Sequence, residues 1–228
     1  MRVAIVSDIH GNLPALEAVM KDLQEHSPDQ VWCGGDVAWG LPWAKECIDV
    51  VRDAGWLTIK GNTDVWITGD PQTLESPADR KDLMEAAAWH DISPEDAEWL
   101  LNLPMGHSGP GSILLVHGTP NSPFVGPQPD APAREFEPYE GHAQIVVYGH
   151  VHRSFVRRLG DGTIVANAGS VGMPMDGPAA CYLLVSRDGP EWLMQHRRVE
   201  FDRAAVVKEA QKRGGPFEER TVRFFGDA

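Results

Sequence analysis

Asp8 and His10 stand two residues apart in the run SDIHG, and His150 and His152 stand two apart in GHVH. Carboxylate and imidazole groups hold divalent metal ions without any help from thiolate. Each pair follows a short apolar run. Residues i and i+2 of an extended segment point to one side, so each pair is expected to aim both ligands the same way. Asp36 and Asn62 each follow a strand-like run and a glycine, and His117 follows a third such run. Asp8, His10, Asp36, Asn62, His117, His150 and His152 thus form an oxygen and imidazole donor set suited to manganese, iron, zinc or cobalt. A carboxylate between two such ions can bridge them. Ions roughly 3.5 to 4 Å apart can clamp a phosphoryl group while acidifying a shared water.

Each of these residues has a plainer explanation when taken singly. A strand-end aspartate usually serves a turn, and an isolated histidine usually sits at the surface or in a satisfied core. Repetition of strand, glycine and ligand in order has no packing explanation, so metal binding is the expectation. Gly34, Gly35, Gly61 and Gly149 form turns and also let backbone approach an ion closely. His26, His90, His107, His142 and His196 lie outside the pattern; His26 and His90, at helical ends, read as surface residues. Of the eight tryptophans, Trp39 and Trp66 flank the ligand blocks. They are either core or pocket wall.

The elements that must position these groups follow from periodicity. Val3 to Val6 reads as a strand feeding a helix on which Leu16, Val19, Met20 and Leu23 share a face, with Asn12 as cap and Pro14 in the first turn. Strand Gln30 to Cys33, helix Trp43 to Ala54 and strand Trp56 to Lys60 repeat the theme, which implies parallel strands joined by crossovers. In open α/β sheets ligands gather at the carboxyl ends of strands, where SDIHGN, GGDVAWG and KGNTD lie. From Val65 to Pro104 the chain reads helical, with Ser93 capping a segment whose buried side is Trp99, Leu100 and Leu103.

Ser112 to Val116 is a further strand, ending at His117. The loop Thr119 to Ala133 carries five prolines and is read either as a lid beside the site or as a surface excursion. Gln144 to Tyr148, Ser154 to Leu159, Thr163 to Ala166, Ala179 to Val185 and Trp192 to Val199 are strands at short spacing, and an antiparallel meander is predicted. Asp202 to Arg213 reads as a closing helix, and no site signal follows Gly214.

Composition narrows the classes. A chain of 228 residues with 42% hydrophobic and 23% charged residues fits one globular domain, 1–228. The formal charge of −13 repels a bare phosphate backbone, which disfavours nucleic acid as a partner. Cys33, Cys47 and Cys181 form no CxxC and read as reduced core residues. Neither a signal peptide nor a membrane span is legible, so the cytoplasm is the default location and no membrane partner is expected.

The series SDIHG, GGD, GNTD, VHG and GHVH resembles the calcineurin-like metallophosphoesterases from Val3 to about Val185. Asn167-Ala168-Gly169-Ser170-Val171-Gly172 and the stretch ISPEDAEWLLNLP look like the small bacterial phosphodiesterases of that family. The resemblance implies a four-layer αββα sandwich, two mixed β-sheets flanked by helices, of mixed α/β class. It implies a first metal held by Asp8, His10, Asp36 and His152 and a second by Asp36, Asn62, His117 and His150, with Asp36 bridging. Manganese is the foremost candidate for both ions, with iron, zinc, cobalt or nickel as alternatives.

Two departures bear on chemistry. Where many relatives place a histidine thought to protonate the leaving oxygen, this chain has Thr63, a poor general acid at neutral pH. Activated esters are therefore expected to react better than esters with poor leaving groups, and His142 or His107 is a candidate substitute acid. After the NAGSVG block, Met173-Pro174-Met175-Asp176 replaces the usual proline and arginine, so a cation is missing. Arg153 is either its replacement or a solvated strand residue.

The expected activity is metal-dependent hydrolysis of a small or nucleotide-like phosphate ester, diester favoured over monoester. The catalytic candidates are Asp36, Asn62, His150 and Asp64, with Asp64 orienting the loop or a neighbouring histidine. The substrate-contact candidates are Asn62, His150 and Arg153. A protein-binding scaffold of the same fold is the alternative from another class, and retention of all seven ligands weighs against it. A nuclease would need a basic groove, which the sequence lacks. Homo-oligomerisation stays open.

Overall fold

Strand β1 (Arg2–Val6) alternates its side chains between two dry faces: Val3 and Ile5 pack toward a second sheet, Ala4 and Val6 toward helices. A strand buried on both sides has little choice of register, because a one-residue slip would exchange the two sets. The computed structural model describes residues 1–68, 77–189 and 191–226.

β1 pairs in parallel with β2 (Gln30–Cys33), which pairs in parallel with β3 (Leu57–Thr58). The second sheet contains β4 (Gly106–Gly109), β5 (Ile113–Val116), β6 (Ile145–Tyr148), β7 (Phe155–Arg158) and β8 (Ile164–Asn167) in the order β4-β5-β6-β8-β7. Strands β9 (Ala180–Asp188) and β10 (Glu191–Val199) complete the first sheet in the order β10-β9-β1-β2-β3. The architecture is the expected α/β sandwich of two mixed five-stranded sheets.

The predicted meander is corrected. β5, β6 and β8 are parallel; the second sheet has antiparallel pairs β4/β5 and β7/β8, and the first has the hairpin β9/β10 with β9 antiparallel to β1. Strand spacing locates hairpins but does not say which sheet edge receives them. Edge strand β4 carries two glycines and was not legible from periodicity.

Helix α1 (Leu13–His26) starts where Asn12 accepts from the Ala15 amide at 3.2 Å and ends at Ser27, whose φ is +44°. Its stripe of Leu16, Val19 and Leu23 packs with Ile48 and Val51 of α2 (Ala44–Asp53) and Leu100 of α5 (Pro94–Asn102) on the first sheet. Each fully buried aliphatic side chain there stabilises the fold by about 1.5–3 kcal/mol. On the far side of the second sheet, Phe136 and Tyr139 from two 3-10 turns (Ala133–Glu135 and Glu137–Tyr139) form the thin outer layer.

Between β3 and β4 the predicted helical stretch is divided into α3 (Asn62–Trp66), α4 (Pro77–His90) and α5; residues 69–76 fall outside the described residues. Ser93 caps α5 as expected, accepting from the Asp96 amide at 3.1 Å. After α6 (Arg203–Arg213), α7 (Glu218–Phe225) follows, which sequence patterning missed. Among the described residues no helix is long and apolar enough to cross a membrane.

Candidate metal centre

The loops that leave β1, β2, β5 and β6 and the start of α3 converge between the two sheets, bringing all seven ligand candidates together. Asp8, His10, Asp36, Asn62 and His117 are buried, and His150 and His152 are half-buried. The reason for convergence differs from the one the spacing suggested. Asp8 (φ +57°), His10 (+54°), Asp36 (+54°), His150 (+64°) and His152 (+57°) are all left-handed, not extended. Non-glycine residues rarely adopt this region, and such strain persists only where the surroundings over-determine it.

Those surroundings are visible. Ser170 Oγ donates to Asp8 O at 2.8 Å, and the amides of Val171 and Gly172 donate to Ser7 O and Asp8 O at 3.0 and 2.9 Å. Asn12 Nδ2 reaches Gly172 O at 2.8 Å. The NAGSVG segment therefore braces the Asp8 loop. Gly149 is required beside it, because a Cβ there would collide with Asp8 Oδ2 and Ser7 Oγ. On the other side, Asp64 accepts from the amides of Gly61, Asp36 and Val37 at 2.8, 2.9 and 2.9 Å. Asp64 is a buried clamp for the Asp36 loop and does not line the cavity. Burial, then the nearby Asp36 charge, raise its pKa to about 6.

The histidines are oriented through their Nδ1 atoms. His10 Nδ1 donates to Trp39 O at 2.7 Å, His117 Nδ1 to Gly34 O at 2.7 Å and His152 Nδ1 to Met173 O at 2.8 Å. A ring that donates from Nδ1 turns an Nε2 lone pair inward when neutral. His10 Nε2 and His152 Nε2 lie 3.0 Å apart, with Asp8 Oδ1 3.2 Å from the latter. Asp36 Oδ2 lies 3.6 Å from His10 Nε2 and 3.4 Å from His117 Nε2, while Asp36 Oδ1 accepts from the Thr63 amide at 2.8 Å. Asn62 Oδ1 stands 3.0 Å from His117 Nε2 and 2.9 Å from His150 Nδ1.

Converging lone pairs of this kind repel unless a proton or a cation lies among them. The donor atoms of Asp8, His10, Asp36 and His152 all lie within 4.8 Å of one another, a spacing that suits one ion with ligand bonds near 2.0–2.2 Å. The residues present therefore fit a divalent metal. Electrostatics agree: burial alone would lower the His117 pKa, but Asp36 drives it up to about 10. Burial likewise opposes a rise at His152, and Asp8 overcomes it. His10 is depressed to about 4 by burial and by His152. Two buried carboxylates demand positive charge, and His117 and His152 supply it by protonation wherever a metal does not.

A cavity of about 310 Å³ opens onto this cluster, at the small end of the range for small-molecule sites. His10, Asp36, Asn62, His150 and His152 form its floor, and Trp39 and Trp66 line it. Gln128 brings the proline-rich loop to its rim. Three candidates lie away from the cavity. His142 lines a separate groove and His107 packs against Trp32, so neither stands at the cavity in place of Thr63. Arg153 is exposed and does not line the cavity.

His90, read as a surface residue, is buried beneath Trp39, its Nε2 accepting from the Gly40 amide at 3.1 Å. What sequence reasoning missed altogether is the contribution of the chain after Gly214: Phe217, Arg220 and Thr221 line the cavity. The available signal was the amphipathic pattern of Thr221 and Phe225, whose buried sides dock α7.

The calcineurin-like phosphoesterase superfamily domain matches residues 1–190. An uncharacterised protein of Methanocaldococcus jannaschii is 28% identical over 222 residues, which cover 88% of each chain. A metallophosphoesterase of Sphaerobacter thermophilus superposes with a TM-score of 0.77 at 27% identity, covering 99% of both chains. A hypothetical protein of Pyrococcus horikoshii superposes at 0.78 with 24% identity, covering 98% of this chain and 97% of that one. With a buried cluster suited to a divalent metal at its strand ends, this chain belongs to the calcineurin-like phosphoesterase superfamily.

Proposed function

We propose that this protein hydrolyses small phosphate esters with two divalent metal ions, manganese foremost, and prefers diesters to monoesters. The observation that carries the reading is the position of Asp36 Oδ2, which faces His10 Nε2 at 3.6 Å and His117 Nε2 at 3.4 Å. Asp8, His10, Asp36 and His152 would hold the first ion, and Asp36, Asn62, His117 and His150 the second. Bound there, the pair would supply Lewis acidity at the phosphoryl group and lower the pKa of water.

The chain's own residues do the rest. The backbone carbonyls of Trp39, Gly34 and Met173 fix the ring orientations, a form of support whose loss typically costs about 10–100-fold in metal affinity. Asn62 and His150, which line the cavity, would touch a phosphoryl oxygen. Trp39, Trp66, Phe217, Met173 and Met175 give organic groups on both ester oxygens an apolar surface, which supports the diester preference. A protein-binding scaffold has no use for a cavity above seven converging ligand candidates.

The test is hydrolysis of bis(p-nitrophenyl) phosphate and p-nitrophenyl phosphate by metal-stripped protein with and without manganese. Manganese-dependent turnover, faster on the diester, is expected. Metal binding without turnover of either ester would overturn the reading.

A further inference from the structure

Only one lysine or arginine side chain lines the cavity among the described residues: Arg220, on the first turn of α7. The chain carries 33 acidic residues against 20 lysines and arginines, Arg220 is exposed, and three arginines elsewhere are engaged with carboxylates. Arg52 pairs with Asp96, Arg197 with Asp22 and Arg198 with Asp176. Arg220 forms no ion pair or hydrogen bond with any described residue. It shares a cavity with Asp36 yet stays beyond ion-pair distance of both Asp36 and Asp8. Helix stability does not explain it either, because a cation in the first turn opposes the helix dipole.

The position of α7 is set by packing. Phe225 joins Leu41, Met173 and Val206 in a buried cluster, and Thr221 Oγ1 donates to Phe217 O at 2.7 Å. Phe217 meets the Trp39 ring edge-on at 5.4 Å, and Trp39 in turn meets Trp66 at 6.1 Å. One wall of the cavity is therefore a run of three aromatic rings, and Arg220 lines the same cavity. Guanidinium groups grip planar or tetrahedral oxyanions through two parallel hydrogen bonds.

Resting on the reading above, we propose that the substrate carries a second anionic group beside the reacting phosphoryl, gripped by Arg220, and a flat ring lying on the Trp39–Trp66–Phe217 wall. The class is a nucleoside diphosphate or its ester. The reacting phosphoryl would lie at the metal centre, and Arg220 would take the neighbouring one.

The experiment titrates manganese-loaded protein with three probes: adenosine, inorganic phosphate and adenosine 5′-(α,β-methylene)diphosphate, which resists cleavage between its phosphorus atoms. Binding is read by tryptophan fluorescence and calorimetry in wild type, Arg220→Gln and Arg220→Lys. Arg220→Gln is expected to weaken the diphosphate about tenfold or more relative to adenosine and to phosphate, the loss of one charge-assisted contact. Arg220→Lys keeps the charge and should fall between the two. Equal weakening of phosphate and diphosphate would place Arg220 on the reacting group and overturn the second-anion assignment. Equal weakening of all three probes, or of none, would overturn a binding role. Absence of manganese-dependent turnover of bis(p-nitrophenyl) phosphate would sink the hydrolase reading alone, because the affinity ratios decide Arg220 without turnover.

Discussion

His10 and His152 meet with their Nε2 atoms 3.0 Å apart, each ring anchored through Nδ1 to a backbone carbonyl of a different loop. Neither ring can turn away without abandoning a hydrogen bond, so their repulsion is relieved by a cation or a proton. Metal binding should therefore tighten the fold. Adding manganese to stripped protein is expected to raise the thermal midpoint by several degrees, since about 2.7 kcal/mol of stabilisation accrues at a hundredfold excess over Kd. An unchanged midpoint in calorimetry would argue against a preformed metal site.

Asp36 faces both halves of the cluster with one carboxylate oxygen and takes the Thr63 amide with the other. Asp36→Asn keeps the size and the hydrogen bond but removes the charge. Turnover is expected to fall on the order of 10²–10³-fold, as for loss of a principal electrostatic group. Metal content by mass spectrometry should drop below the wild-type value. A variant with full metal content and full rate would remove Asp36 from the centre.

Thr63 is buried, lines the cavity and leaves its hydroxyl oxygen without a hydrogen-bond partner among the described residues. With no acid at that position, rates should depend steeply on leaving-group pKa across a series of aryl and alkyl phosphodiesters. Thr63→His should flatten that dependence, gaining about 10²-fold on the poorest leaving group, the lower bound for general acid catalysis. Equal slopes in wild type and variant would show that protonation of the leaving oxygen does not limit the reaction.

His90 holds the loop that carries Trp39, and its pKa is depressed to about 3 by burial first, then by Arg213 and His10. The unfolded chain takes up this proton near the ordinary value of 6.5, while the folded chain does not. The group thus costs nothing above pH 6.5, and stability declines as pH falls from about 6.5 toward 3. His90→Gln, whose amide oxygen can still accept from Gly40, should lose less stability between pH 7 and pH 4.5 in urea titrations. His90→Leu orphans the Gly40 amide and should cost about 1–3 kcal/mol at neutral pH. Parallel pH profiles for wild type and His90→Gln would refute this account.

Much of the site could be read without coordinates because its parts are local. An apolar run, a glycine and a ligand are contiguous, and three of the runs recur with helices between them, which dictates parallel strands with their carboxyl ends together. The seven ligand candidates, the Asn12 and Ser93 caps and the parallel pairing of β1 with β2 and of β2 with β3 are all legible in the sequence. The cause of ligand convergence did not, because left-handed φ at Asp8, His10, Asp36, His150 and His152 is imposed by bonds from distant segments such as Ser170 and Asp64.

What only tertiary structure decided concerns groups brought together across long separations. Hairpins β7/β8 and β9/β10 look alike in sequence, yet one extends the second sheet and the other the first, a choice made by which open edge their apolar faces can bury against. His90 looks like a helix-end surface histidine until Trp39 and Phe217 cover it. Arg220 stands 210 residues after His10 in the chain, and no local pattern links them; packing of Phe225 on Leu41 and Val206 carries that cation to the cavity. Local chemistry chose the ligand candidates, and non-local burial chose the wall that a substrate would meet.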